Sequence, residues 1–189
     1  MKDKIINVLN NGGVVAIKTD TVYGLVANAF NENAIKKIYN IKKRDENKPL
    51  CIFIKNINEL NKYTDNILKN DLLGLLKKYW PGKLTVIFNK KDNSLNYLTK
   101  GRNGIGIRIP NDKLLMEVLD GIDYPLAETS CNIEGEKPCV TYEEIKNKFL
   151  DKIDLIIDGG EVKENIPSTI ITVESGEMFI LRKGAIDIG

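Results

Sequence analysis

The sequence predicts one α/β domain built on a mixed β-sheet, and three observations lead there. Nine short apolar runs with strand character are interleaved with helical patterns, but not in the strict strand–helix–strand order of an all-parallel sheet. The last two runs straddle Ser175-Gly176, a hairpin signal that demands an antiparallel pair. With 189 residues, 42% hydrophobic and 29% charged, the chain can fill one core, and no repeat, low-complexity tract or Pro/Ser-rich linker divides it, so residues 1–189 read as a single domain.

Each element follows from its pattern. Ile5, Ile6, Val8 and Leu9 before Asn11-Gly12-Gly13 read as a short helix with a glycine stop. VVAIK (14–18) is a buried strand, TDTVYG (19–24) interrupts it, and LVANAF (25–30) is a second strand. Asn31 caps a helix that carries Ala34, Ile35, Ile38, Tyr39 and Ile41 on one face and ends in a cationic loop. LCIFI (50–54) is a strand. Residues 65–79 read as a helix with Ile67, Leu68, Leu72, Leu75 and Leu76 inward, and Trp80-Pro81-Gly82 then turns the chain into LTVIF (84–88). Strands follow at IGIRI (105–109), PLAE (125–128), DLIID (154–158), STIITV (168–173) and EMFILR (177–182), with helices at 112–119 and 142–149.

Composition removes several chemistries. The chain has no His, which excludes His-based triads, HExxH zinc sites and imidazole proton shuttles. Net charge is only +2, so affinity for phosphate or nucleic acid has to come from clustered cations. Of 28 cations only four are Arg, at 44, 102, 108 and 182, and three of these stand beside Pro or Gly in compact motifs. An Arg in a lysine background suits a planar fork for carboxylate or phosphate. Three Cys without a CxxC pair point to a reducing cytoplasm, the polar N-terminus does not read as a signal peptide, and no apolar run nears the roughly 18 residues of a membrane span.

Five polar segments at strand ends hold the candidate chemistry. No GxxxxGK[ST] is present, and GRNGIG has the wrong order for GxGxxG. Residues 18–24, KTDTVYG, offer three hydroxyls and a carboxylate, either for a small polar substrate or as a hydrogen-bonded turn. Lys42, Lys43, Arg44 and Lys48 fit polyphosphate neutralisation or a solvated helix end. Arg108, inside an apolar strand, needs an anion, structural or bound. Residues 129–135, TSCNIEG, suit phosphate or ribose hydrogen bonding, or an Asx-type turn. Cys131 has no His beside it in sequence or anywhere else and reads as packing. Ser168 and Arg182 stand at the outer ends of the two strands of the predicted hairpin, either as neighbours on one sheet or as unrelated edge residues.

In order and identity these blocks resemble the YrdC/Sua5 family of threonylcarbamoyl-AMP synthases. The matching segments are KTDTVYGL (18–25), KKRDENKPL (42–50), YWPGKLT (79–85), IRIP (107–110), TSCNIEG (129–135), STI (168–170) and LRKGAI (181–186). The chain resembles the short form that lacks the extra C-terminal domain. Departures from the family pattern are Cys131 in the usual Ser-Ala-Asn triplet, Glu134 for Ser, Cys139 for Ser, and Phe53 where some longer members place a substrate-facing His.

The resemblance implies a YrdC-like twisted sheet with flanking helices and a concave basic face. It implies L-threonylcarbamoyladenylate synthase activity, a nucleotidyl transfer from L-threonine, bicarbonate or CO₂, and ATP that yields threonylcarbamoyl-AMP and pyrophosphate. The product would serve tRNA N6-threonylcarbamoyladenosine formation by a separate transferase complex. By family match Thr21, Tyr23, Arg108 and Ser168 hold threonine. Lys42, Arg44, Lys48, Ser130, Asn132 and Arg182 hold ATP, with Lys42 and Arg44 catalytic. Mg²⁺ comes on the phosphates and not in a protein cage. A second function class, a double-stranded RNA- or tRNA-binding module without synthase activity, draws on the basic concavity; 7% aromatics and a charge of +2 argue against it.

Overall fold

A computed structural model describes residues 1–65, 70–174 and 177–188. In chain order the strands are β1 (Val15–Lys18), β2 (Tyr23–Asn28), β3 (Cys51–Phe53), β4 (Leu84–Asn89), β5 (Gly104–Arg108), β6 (Leu126–Ser130), β7 (Leu155–Ile156), β8 (Thr169–Glu174) and β9 (Glu177–Arg182). The helices are α1 (Lys2–Asn10), α2 (Glu32–Lys42), α3 (Leu60–Tyr63), α4 (Asn70–Tyr79), α5 (Asn96–Thr99), α6 (Lys113–Asp120) and α7 (Tyr142–Phe149). All nine strands form one mixed sheet, ordered β7-β1-β2-β6-β3-β5-β4-β8-β9, as the interleaved pattern implied.

Most differences from the sequence reading lie at element ends. Strand β2 begins at Tyr23 rather than at 25, because the β1–β2 turn closes in four residues with Lys18 opposite Tyr23. DLIID shortens to β7, held parallel to β1 by Val15 and Ala16. The helix expected from Asp65 begins, among the described residues, at Asn70, and Thr64 instead bridges to Lys90. Ile67 and Leu68 lie outside the described residues, as does the Ser175-Gly176 turn, although Glu174 pairs with Glu177 as a hairpin requires. Helices α3 and α5 and the 3₁₀ turn Ile57–Glu59 were not anticipated, since elements of three or four residues carry no periodic stripe. The Asn31 cap is present, its side chain accepting from Ala34 N–H at 3.0 Å.

Cross-strand partners share a face, so the register shows how the sheet is covered. One face carries Ala16, Leu25, Ala127, Ile52, Ile107, Val86 and Ile171, all at most 1% exposed, against Ile35 and Ile38 of α2 and Ile145 and Phe149 of α7. The opposite face is packed only toward the β1–β2–β6 end, where Val15, Val26, Leu126 and Phe53 meet Ile5 and Leu9 of α1 and Leu115 and Val118 of α6. Beyond Phe53 the same face carries Glu128, Ser130, Cys51, Gly106, Ile87 and Ile170 and forms the floor of a cleft.

One end of that floor depends on a glycine. A Cβ at Gly184 would lie 2.4 Å from Pro167 O and 2.5 Å from Ser168 O, so only glycine lets the chain after β9 lie against the start of β8. Gly184→Ala is expected to lower stability by about 1–3 kcal/mol through forced backbone movement. Gly74→Ala in α4, where an added Cβ meets nothing within 4 Å, should be neutral or stabilise by roughly 0.5–1 kcal/mol. Urea unfolding of both variants measures the contrast.

Candidate active site

The cleft encloses about 660 Å³, within the roughly 300–1,000 Å³ usual for small-molecule sites. Eight expected site residues line it: Thr21, Arg44, Lys48, Arg108, Ser130, Asn132, Ser168 and Arg182. They reach it from the β1–β2 turn, the loop after α2, and the ends of β5, β6, β8 and β9. Tyr23 and Lys42 are not part of the lining, and both are buried.

Arg108 is 2% exposed, and its guanidinium is met on three sides. Nε donates to Gly82 O at 2.9 Å, Nη1 to Thr21 Oγ1 at 3.1 Å, and Nη2 forms an ion pair with Asp20 Oδ1. The anion this strand arginine requires is therefore a structural carboxylate. The guanidinium carbon also stands 5.4 Å from the Phe53 ring centroid, so the residue at the family's occasional His position serves as an apolar wall. Asp20 Oδ2 is buried without a partner. The turn that presents these groups is held by Thr19, whose Oγ1 accepts from Thr21 N–H and Val22 N–H and donates to Val22 O.

The ten expected residues do not all face the cleft, and two change role. The Lys42 ammonium has three donors and places them on Ser130 O (2.5 Å), Asn132 Oδ1 (2.8 Å) and Asn132 O (3.1 Å). It braces the 130–132 turn and has no donor left for a phosphate. Burial, then the nearby Arg44 charge, pushes its pKa down to about 8. The Tyr23 hydroxyl donates to Gly160 O at 2.8 Å and accepts from Gly159 N–H at 3.0 Å, so it anchors the 159–160 loop. In this arrangement the donors of Tyr23 and Lys42 are directed to protein carbonyl and amide groups and not into the cleft.

The 130–132 turn is closed from within. Ser130 Oγ donates to Asn132 Oδ1 at 2.6 Å, and Asn132 Nδ2 donates to Ile133 O and Glu136 O. Cys131 is fully buried, and the neighbouring Cys139 thiol together with burial pushes its pKa up, away from a nucleophilic thiolate. Cys139 N–H donates to Cys131 O at 2.9 Å, so this departure is absorbed in packing. Glu134 is absorbed differently: it pairs with Lys48 at 2.5 Å and accepts Asp45 N–H at 2.7 Å, tying the cationic loop to the turn. These two donors hold its carboxyl below the usual carboxylate range.

Arg44 uses Nη2 on Pro49 O at 3.0 Å, while its Nε is buried without a partner. Across the cleft Arg182 grips Ser168 through Nε and Nη2 to the carbonyl (3.1 and 2.8 Å) and through Nη2 to Oγ (3.1 Å). Ser168 Oγ also lies 2.8 Å from Thr85 Oγ1. The expected meeting of the STI and LRKG blocks is thus a direct contact.

Sequence reasoning passed over Thr85, Arg102 and Glu128, all of which line the cleft. In the sequence Thr85 closes the YWPGKLT block and lies in the strand LTVIF, and Arg102 is one of four arginines, with nothing to mark either as facing a cleft. Glu128 carried a readable signal, a charged side chain inside the apolar run PLAE directly before the Thr129-Ser130 turn.

Comparison with known proteins agrees with the architecture. The Sua5/YciO/YrdC family model, described as telomere recombination, matches residues 7–184. A Methanocaldococcus jannaschii protein is 42% identical over 94% of this chain and 83% of its own length. Threonylcarbamoyl-AMP synthases of Pyrococcus abyssi and Bacillus subtilis are 32% and 34% identical over 95% and 94% of this chain, which spans only 53% and 51% of their lengths. The structure of P. abyssi Sua5 complexed with L-threonine superposes with a TM-score of 0.90 at 32% identity, covering 97% of this chain and 54% of that one. E. coli YciO superposes with a TM-score of 0.89 at 25% identity, covering 99% and 90%. Since the family model spans nearly the whole chain and the nine-stranded sheet superposes on its solved members, the chain belongs to the Sua5/YciO/YrdC family.

Proposed function

We propose that the protein is a threonylcarbamoyl-AMP synthase, joining L-threonine, CO₂ or bicarbonate, and ATP and releasing pyrophosphate. The observation that carries this reading is the convergence of Arg44, Lys48, Ser130 and Asn132 with Thr21, Arg108, Ser168 and Arg182 in one cleft. Cations concentrated in a space of about 660 Å³ suit a single nucleotide with a small amino acid better than the extended backbone of an RNA duplex. The P. abyssi relative, which carries the synthase name, has been solved with L-threonine, in keeping with an amino-acid subsite.

In this reading Arg44, Lys48 and Arg182 neutralise the phosphates, and Ser130 and Asn132 bound the sugar side. Thr21, Arg108 and Ser168 frame threonine, with the unused N–H groups of Arg108 reaching the substrate carboxylate. Lys42 positions the 130–132 turn and Tyr23 the loop behind it. The threonine carbamate oxygen attacks the α-phosphorus and pyrophosphate leaves, a step that depends on alignment and charge neutralisation and therefore tolerates the lack of His. Mg²⁺ enters as part of MgATP; among the described residues no cluster of three or more His, Cys, Asp or Glu side chains could hold a metal alone. The product serves a tRNA-modifying transferase, and bare tRNA binds weakly. Among the described residues no helix is long and apolar enough to cross a membrane, and all three cysteines are free thiols, in keeping with work in the cytoplasm.

Pyrophosphate release from ATP by the purified protein, with and without L-threonine and bicarbonate, tests the reading; release independent of threonine would overturn it. Arg44→Ala is expected to lower the threonine-dependent rate by about 10²–10³, equivalent to about 2.7–4 kcal/mol by analogy with removed oxyanion donors, with little change in melting temperature. Lys42→Ala should lower both rate and melting temperature, because three buried acceptors lose their donor. Differential scanning calorimetry beside the rate assay separates the two.

Titration of ATP and bare tRNA at two salt concentrations, with threonine present, gives a further check. ATP binding should persist in the micromolar to millimolar range usual for substrates, and tRNA binding should collapse as salt rises. Salt-resistant tRNA binding without ATP binding would favour an RNA module instead.

A further inference from the structure

The cleft is built from cations and hydroxyls, yet one carboxylate stands on its floor with no assigned task. Glu128 lies on β6 opposite Cys51 of β3 and Val26 of β2, on the sheet face that forms the cleft, and it lines the cavity together with Arg108 and Ser130. The cations around it are occupied elsewhere: Arg108 on Gly82, Thr21 and Asp20, Lys42 on the 130–132 turn, and Arg182 on Ser168. Among the described residues no hydrogen bond or ion pair joins the Glu128 carboxylate to another group. Burial raises its pKa against the opposing pull of Arg108, Arg182 and Lys42, while Asp20 adds to the rise. On β3 the neighbouring Cys51 thiol is itself pushed up to about 12, by burial first, and stays neutral.

A carboxylate repels a polyphosphate, and because Arg108, Arg182 and Lys42 spend hydrogen bonds on other groups, Glu128 keeps acceptor capacity on the cleft floor for a cationic group. On the proposed reaction, that cation is the ammonium of the amino acid. We propose that Glu128 accepts the substrate ammonium, setting the orientation of threonine, and takes the proton that the nitrogen must lose before it can react. One ammonium N–H bond breaks and its proton passes to a Glu128 carboxylate oxygen. The freed lone pair forms the N–C bond to CO₂ while a C=O π pair moves onto oxygen, and the second nitrogen proton leaves to water. The result is a carbamate whose oxygen is free to attack the α-phosphorus. A base helps most when its pKa approaches the working pH, which is the direction in which this environment moves Glu128.

The inference rests on the synthase reading, and Glu128→Gln separates the two. The variant keeps the shape and removes the charge. It is expected to lower kcat/KM for threonine by about 10²–10³ and to weaken threonine binding in calorimetry, with ATP binding unchanged and the acid limb of the wild-type pH profile lost. Glu128→Asp should recover part of the rate. An unchanged threonine KM and pH profile in a Glu128→Gln variant that melts like an active wild type would overturn the assignment and leave the synthase reading standing, and so would a defect confined to ATP. A wild type with no threonine-dependent pyrophosphate release would overturn both.

Discussion

A guanidinium buried at the end of a strand has to be met by acceptors from outside that strand, and Arg108 satisfies this demand from two separate turns. Gly82 comes from the turn before β4, Thr21 and Asp20 from the turn after β1, and Arg108 itself from the end of β5. Removing one partner would leave a charge stranded at 2% exposure, which costs several kcal/mol in general terms, so the two turns and the end of β5 are held in one arrangement. The position of β4 depends on the same contact, since Gly82 N–H donates to Ile109 O at 2.8 Å and the Trp80 indole closes the turn on Leu84 O at 2.7 Å. One side of the cleft is therefore a consequence of satisfying one buried cation.

The other side follows the same logic with a different ion. Lys42 ends α2 and would ordinarily reach solvent, but its ammonium is drawn into the 130–132 turn and locks β6 to the loop that follows the helix. Glu134 reinforces the link from above by pairing with Lys48 and receiving Asp45 N–H. Lys42, Lys48, Arg108 and Arg182 thus all spend hydrogen-bonding capacity on architecture. Arg44, which lines the cleft and has a buried Nε without a partner among the described residues, spends one hydrogen bond on the backbone, to Pro49 O. The gathering of Arg44, Lys48, Arg108 and Arg182 around one cleft explains how a chain of net charge +2 can concentrate positive potential in one place.

Strand positions were legible because burial on one or both faces writes itself into apolar runs; β4 and β9 begin where the pattern said, and α7 matches at both ends. The four-residue helices α3 and α5 were not, because neither has a capping side chain and they are fixed by tertiary burial of Leu60 and Tyr63 and of Leu98 and Thr99. For the site, motif order was enough to find the residues that converge, but not the direction in which they point. Tyr23 and Lys42 stand in the expected blocks and face inward, since one strand register and one helix end decide their orientation. Glu128 was hidden by the opposite effect: it sits in a run read as core, on the one face of the sheet that is only partly covered.

That partial cover is what makes a site possible here without a histidine. Helices α1 and α6 pack the β1–β2 end of the face and the start of β6, so a ligand is confined to the floor formed by the end of β6 with β3, β5, β4 and β8. There the floor is flat because Gly106 has no side chain; a Cβ would stand 2.5 Å from Cys51 Sγ and 3.2 Å from Ile87 Cδ1. A flat floor between two rims, one held by Arg108 and the other by Lys42, fixes where an anion and a small amino acid can lie relative to each other. When reactants are held in that way, a reaction whose barrier lies in alignment and charge proximity needs few acid–base groups, and on the proposed assignment Glu128 takes the first amine proton while water takes the second.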